Sequence, residues 1–355
     1  MEGKQITDAR EKQVDYINKA YSSIRERFTV DADFKALLSL VDGGRGRSII
    51  ATPVQLFIDD AISGRSVSEG HPYYKRCSLY NRDIPKTISN RIVHIKDFKK
   101  NGILTPVEIL INNLGIVLVH GHTRINYAFY AKLPTLKVDI CLCTEDLVEI
   151  KSFLDRQYPS RKNVTYQPIA SPAFAFHRIL NNQLPIKVGA IATRIKGGSS
   201  FIDFGCHLGY ATREMNRLGV KGFGVEYQER YISMARTIEA VGERQAWIKH
   251  QRIEDYVARN DPISGHVPIF LSVIHHFLKT PHGLEVFTGK IIPWIQRNCP
   301  QAFVEHHYED HYPVKNDCDA VGFWQSHGFR AERIDYSPDG KYWLNRSLFE
   351  LSRSV

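Results

Sequence analysis

Apolar positions recur along this chain at two spacings. Residues 5–40 set Val14, Ile17, Ala20, Tyr21 and Ile24 three or four apart, the period of a helix. The DGGRGR stretch at 42–47 breaks that period and reads as a turn. From 105 the pattern becomes strand, turn, strand, helix, strand: PVEILI, NNLG, IVLVHGH, TRINYAFYAKL and LKVDICL. The segment FAFHRILNNQLPIKVGAIATRI (174–195) reads as two short helices leading into a strand. Next, SSFIDFGCHLGYATREMNRLGVKGFGVE (199–226) predicts a strand ending in Asp203 and a turn with Gly205 and Gly209. A helix from about Ala211 to Leu218 and a second strand ending in Glu226 follow. Further strands are expected within PIFLSVIHHFLK (268–279) and AFVEHHY (302–308). FWQSHGFRAERIDYSP (323–338) with KYWLNRSLFEL (341–351) reads as a helix, a glycine turn and a closing antiparallel pair. Strands alternating with helices predict an α/β architecture.

Length and composition sharpen this picture. With 355 residues, 43% hydrophobic and 24% charged, the chain can bury a core, and at about 150 residues per domain two domains are expected. No run of about 18 uncharged apolar residues occurs, and MEGKQITDAREKQ lacks the apolar centre of a signal peptide, so a soluble, cytoplasmic protein without a membrane span is expected. Six scattered cysteines, none in a CxxC pair, exclude a disulfide scaffold and predict reduced thiols. Cys141 and Cys143 alternate in an apolar run and read as one face of a strand. The net charge of +9 is concentrated at 151–196, where eight Lys or Arg face a single acid. Lys151, Arg156, Arg161, Lys162, Arg178, Lys187, Arg194 and Lys196 would either line a surface for an anionic partner or form a solvated connector.

The block from 105 carries Val119-His120-Gly121-His122-Thr123-Arg124 at its strand-to-helix junction. Over about 40 residues it resembles the ParB/sulfiredoxin-like fold, an α+β domain. Glycine permits the tight turn, the helix N-terminus offers N–H groups, and His122 and Arg124 add donors. Gly121, His122, Thr123 and Arg124 are therefore the candidate phosphate or nucleotide site. Sulfiredoxin activity would need a Cys where His122 stands, and His120 occupies a position where an aspartate is expected.

In the second half, strand, glycine turn, helix, strand and acid form a nucleoside-binding constellation, because the acid at the second strand's tip can accept both ribose hydroxyls. A nicotinamide site favours GxGxxG, whereas this chain reads DFGCHLG. Taken with its downstream segments, the region resembles class I S-adenosylmethionine-dependent methyltransferases. The resemblance implies a Rossmann-like seven-stranded domain over 191–355, preceded by a helical region (1–65), the ParB/sulfiredoxin-like domain (66–150) and a basic helical connector (151–190). It implies S-adenosylmethionine as cofactor, held by Asp203, Gly205, Cys206, Gly209, Glu226, Tyr227, Arg252, Ile253 and Ser272. Arg252 stands where an acid is often found, which leaves adenine to backbone and Ile253.

His275 and His276 end the fourth strand, where a group of ordinary pKa about 6.5 can take a proton. Glu305 and His307 end the fifth and are candidate acceptor contacts. Imidazole and carboxylate also suit a metal, but His275, His276, Glu305 and His307 have no diagnostic spacing, so no metal is expected. There is no Asn/Asp-Pro-Pro-aromatic tetrad for amino methylation of DNA and no Pro-Cys nucleophile for cytosine C5. RIEDYV, LSVIHHF and NRSLFEL look more like methyltransferases of surface polysaccharides, sugars and their phosphates. The expected acceptor is a small molecule or glycan, O-methylated. Rival expectations are a nucleic-acid methyltransferase gripped by the basic stretch and a bifunctional small-molecule kinase and methyltransferase.

Overall fold

The computed structural model describes residues 24–353 apart from 43–49, 51, 75–82, 113–114, 162, 242–244, 260–265, 310–311 and 336–345. The helical period at 14–21, Cys77, most of DGGRGR and the first half of KYWLNRSLFEL lie outside the described residues. The chain forms two compact units, one of 1–163 with 170–178, the other of 164–169 with 179–355. The stretch expected as a connector over 151–190 is thus shared between both. Its first part ends a helix of the first unit and its last part is a helix of the second. Lys151 and Lys187, expected on a basic surface, are buried.

In the first unit, β1 (Glu26–Asp33), β2 (Val107–Asn112), β3 (Gly115–His120) and β4 (Thr135–Leu142) form a sheet in the order β1-β4-β2-β3. β4 runs antiparallel to β1 and parallel to β2, and β2 to β3 is a hairpin. The expectation of helix through residue 40 fails at β1. There Val30 and Ala32 are buried while Thr29, Asp31 and Asp33 are exposed, an alternation that buries an apolar face only in an extended strand. Helices α1 (Phe34–Asp42), α2 (Thr52–Ser63), α3 (Ile84–Asn101), α4 (His122–Tyr130) and α5 (Glu145–Gln157) complete the unit. Asp83 caps α3 by accepting from the Lys86 N–H at 3.1 Å. Phe57, Ile58, Tyr73, Ile88, Ile95 and Tyr127 pack α2, α3 and α4 together.

The second unit contains α6 (Leu184–Ala192), β5 (Ser200–Phe204), α7 (Tyr210–Arg217), β6 (Gly222–Glu226), α8 (Glu229–Ala240), β7 (Ile248–His250) and α9 (Ile253–Arg259). Then come β8 (His266–Phe270), α10 (Ile274–Leu278), α11 (Pro281–Val286), α12 (Ile292–Asn298), β9 (Gln301–His307), α13 (Asp317–Ser326), β10 (Phe329–Arg333) and β11 (Arg346–Arg353). Of the segment 174–195, only α6 forms a full helix. The seven strands lie in the order β10-β11-β9-β8-β5-β6-β7. β7, β6, β5, β8 and β9 are mutually parallel, and β11 runs antiparallel to both of its neighbours. Near-continuous apolar strands suit a sheet covered on both faces. One face buries Phe204, Phe270 and Trp294 with Trp324; the other buries Phe201, Ile269 and Phe303 against Leu184, Val188 and Ile191 of α6. Strand order reverses between β5 and β8, and such a switch point opens a crevice at the carboxyl ends of the strands. Among the described residues no helix is long and apolar enough to cross a membrane.

Trp294 is fully buried, edge-on to Phe204 at 5.7 Å and to Tyr256 at 6.2 Å. Trp294→Ala should lower the unfolding free energy of this unit by about 3–5 kcal/mol in urea titration, and a loss below about 1 kcal/mol would contradict this packing.

Candidate functional site

The loop after β5 is shaped by backbone that side chains resist. Gly205 has φ +69°, and a Cβ there would lie 2.5 Å from Val273 Cγ2. Gly209, at φ +76°, precedes α7 and would bring a Cβ within 2.9 Å of Ala246. The Gly205 N–H donates to the Val225 carbonyl at 2.8 Å, which ties the loop to β6. His207, between the glycines, also has positive φ, +56°.

Glu226 closes this corner. Its buried carboxylate accepts N–H bonds from His207 at 3.0 Å and from Tyr227 and Gln228 at 2.9 Å each. One oxygen takes two of these bonds and the other takes one, so the second keeps an accepting lone pair for a hydroxyl. Beside it the Tyr227 ring is half-exposed, with the Arg252 guanidinium 5.2 Å from its centroid, and Ile253 is buried at the start of α9. Cys206 is buried and its thiol is pushed up by burial.

Asp203 faces the interior beneath the loop. It is 2% exposed, and it accepts from the Thr212 hydroxyl of α7 at 2.9 Å. Burial, with Glu226 adding to it, raises its pKa to about 7 against the Thr212 bond. Asp203 therefore fastens α7 to β5.

Two residues that the sequence did not single out brace the loop. Gln167 donates to the Cys206 carbonyl and accepts from the Tyr210 N–H, both at 3.4 Å. Tyr231 lies against His207, with ring centroids 3.9 Å apart, and burial lowers the His207 pKa to about 3.

Across the crevice, at the ends of β8 and β9, lies a second cluster. Glu305, expected as an acceptor contact, is instead 1% exposed. It is ion-paired with the equally buried Lys187 of α6 and accepts from the Ser272 hydroxyl at 2.8 Å. Arg346 donates to the same hydroxyl at 2.6 Å. Burial alone would raise the Glu305 pKa, but Lys187 and Arg346 outweigh it and hold it below the usual range. Ser272 has φ +57°, an uncommon conformation for a residue with a Cβ, and its side chain is bonded on both sides. His275 and His276 lie with ring centroids 4.0 Å apart, and His307 is 5.4 Å from His275. Burial first, then the neighbouring cations, lowers His275 to about 3, and His276 and His307 shift the same way. Of the pair, His276 is the more exposed. Among the described residues no group of three or more His, Cys, Asp or Glu is arranged to hold a metal.

In the first unit, Gly121 stands at φ +121° before α4, where a Cβ would press on Val107 at 2.9 Å. Arg124 donates to the Pro106 carbonyl at 2.6 Å, so part of its guanidinium is spent on the loop before β2.

No protein-family model matches the chain, and no curated protein does. Solved structures similar to it include magnesium protoporphyrin IX methyltransferase from Synechocystis PCC 6803, 13% identical, TM-score 0.39, covering 59% of this chain and 98% of that one. A bifunctional kinase-methyltransferase, WbdD, is 18% identical with TM-score 0.40 over 56% of this chain; the chain spans 45% of its length. A TehB-like SAM-dependent methyltransferase from Corynebacterium glutamicum is 13% identical, TM-score 0.36, covering 48% of this chain and 88% of that one.

An acid whose folded pKa lies above its unfolded value binds more protons when folded, so its contribution to stability is largest in acid and declines as pH rises through the folded value. Asp203→Asn removes that decline. Its unfolding free energy relative to the parent chain should increase between about pH 4 and about pH 7.5, by about 2–4 kcal/mol. A difference that does not change with pH would contradict a buried, protonatable Asp203.

Proposed function

We propose that this protein is an S-adenosylmethionine-dependent O-methyltransferase acting on a sugar, phosphate or small-metabolite acceptor. The observation that carries this reading is the corner formed by the Gly205–Gly209 loop and Glu226 at the switch point of a seven-stranded sheet closed by an antiparallel β11. When bound, the cofactor supplies an electrophilic methyl group on sulfur. The chain supplies everything that aligns it. Gly205 and Gly209 let backbone approach the ligand, Glu226 accepts from the ribose hydroxyls, and Tyr227, Arg252 and Ile253 flank adenine. Asp203 and Cys206 shape the loop from beneath.

On the opposite rim, Ser272 is fixed by Glu305 and Arg346, and His276 takes the proton of a hydroxyl acceptor. His275 packs against it, with ring centroids 4.0 Å apart. The first unit binds a phosphate, a nucleotide or the acceptor through the Gly121–Arg124 turn. In-line transfer at a carbon needs donor and acceptor aligned and water kept out, which two walls facing one crevice can provide.

Calorimetric titration should detect S-adenosylmethionine and its demethylated product, S-adenosylhomocysteine. Glu226→Gln should weaken both about tenfold or more, since it loses charged hydrogen bonds. His276→Ala should keep that affinity and lower turnover about 100-fold. No heat with either compound, or equal loss of affinity in both variants, would overturn the assignment.

A further inference from the structure

The chain leaves the first unit after Asn163, gives 164–169 to the second, returns for 170–178 and then stays in the second. Main-chain bonds close the base of this excursion. The Arg178 N–H donates to the Asn163 carbonyl at 2.9 Å, Leu180 N–H to the Thr165 carbonyl at 2.8 Å and Asn181 N–H to the Tyr166 carbonyl at 3.1 Å. At one end, Tyr166 and Gln167 hold the glycine loop of the second unit. The Tyr166 ring is edge-on to His207 at 5.5 Å, and Gln167 bonds both the Cys206 carbonyl and the Tyr210 N–H. The Thr165 hydroxyl donates to the Gln167 carbonyl at 2.7 Å, which fixes the backbone from which that side chain starts. At the other end, Ala173, Phe174 and His177 are buried in the first unit. His177 is edge-on to Phe174 at 5.2 Å and to Phe28 of β1 at 5.7 Å. Both of its ring nitrogens are buried without a hydrogen-bond partner among the described residues, so apolar packing seats this ring.

A segment that buries polar atoms without partners opens more readily than its apolar burial alone would allow. Residues 170–178 therefore have two states, seated and released. Release is felt at the base of the excursion, because Pro168 and Pro172 have fixed φ and the bonded ends leave little slack. We infer that residues 163–181 act as a strap: the glycine loop keeps its ligand-binding shape while 170–178 is seated in the first unit, and loses it when that segment is released. Its meaning as regulation of cofactor binding rests on the methyltransferase reading above, whereas the mechanical link stands on the bonds and packing alone. Linkage makes the effect reciprocal, so a ligand that needs the shaped loop also favours the seated segment, by the same factor.

Amide hydrogen exchange and calorimetry on the full chain test the strap. S-adenosylhomocysteine should slow exchange at Phe174 and His177, whose N–H groups bond the Ser171 and Phe174 carbonyls, by about fivefold or more. Phe174→Ala, outside the glycine loop, should weaken S-adenosylhomocysteine by up to that same factor as the seated fraction falls, and should speed exchange at Gly205 and Tyr210. Ile95→Ala, in the core between α2, α3 and α4 of the first unit, should leave that affinity unchanged. Gln167→Met keeps the length of the side chain but not its two bonds, and should abolish the slowing at Phe174 and His177 even when S-adenosylhomocysteine saturates the protein. Binding to the parent chain with no slowing at Phe174 and His177 overturns the strap, whether or not the variants fold. Equal effects of Phe174→Ala and Ile95→Ala on affinity overturn it as well. If the parent chain does not bind S-adenosylhomocysteine, the cofactor reading fails, and exchange at Gly205 and Tyr210 decides the strap: faster in Phe174→Ala supports it, and no change overturns it.

Discussion

Three backbone N–H groups converge on the carboxylate of Glu226, and the shape of the crevice depends on that convergence. One comes from His207 in the loop after β5, the others from the turn leaving β6. A single buried side chain thereby joins two loops, adding to the bond from the Gly205 N–H to the Val225 carbonyl. Without that side chain, three partly buried N–H groups would need other acceptors, at a cost that a loop with two left-handed glycines has little means to recover. If a nucleoside occupies this corner, as proposed, the carboxylate that builds the corner also serves recognition.

The opposite wall solves a related electrostatic problem differently. Glu305 is as buried as Glu226 but is balanced by Lys187, a residue 118 positions earlier in the chain. Breaking such a pair is far costlier than removing both members, because it leaves one charge alone in the interior. Through Ser272 the pair also reaches the backbone at the end of β8, where φ is positive, and through Arg346 it reaches the antiparallel β11. The closing strand is thus wired into the rim, which gives its antiparallel insertion a consequence beyond completing the sheet.

The second unit's order of strands was readable from sequence because each element carries its own signal. Apolar runs end near Asp203 and Glu226, with glycines where the turns need them, whereas His275 and His276, expected at the end of the fourth strand, lie in helix α10 (Ile274–Leu278) after β8 has ended at Phe270. What was not readable was the direction in which side chains point. Asp203 and Glu226 both stand near strand ends, yet one accepts from the Thr212 hydroxyl and the other from three backbone N–H groups. Lys187 looks like its basic neighbours until Glu305 is placed beside it, and that pairing is a property of the tertiary fold. Local spacing draws residues 26–33 into the upstream helical period because it cannot register the antiparallel partner 135–142, which rewards an extended backbone there. The splitting of 164–178 between two units is likewise invisible to any local pattern.

We propose that the corner between the Gly205–Gly209 loop and Glu226 holds an adenosyl group. A crystal structure of the full chain grown with S-adenosylhomocysteine tests it most directly. Ribose hydroxyls should be bonded to the Glu226 carboxylate, and the adenine should lie beside Tyr227 and Ile253. Density for the compound elsewhere, with Glu226 contacting only its three backbone donors, would contradict it.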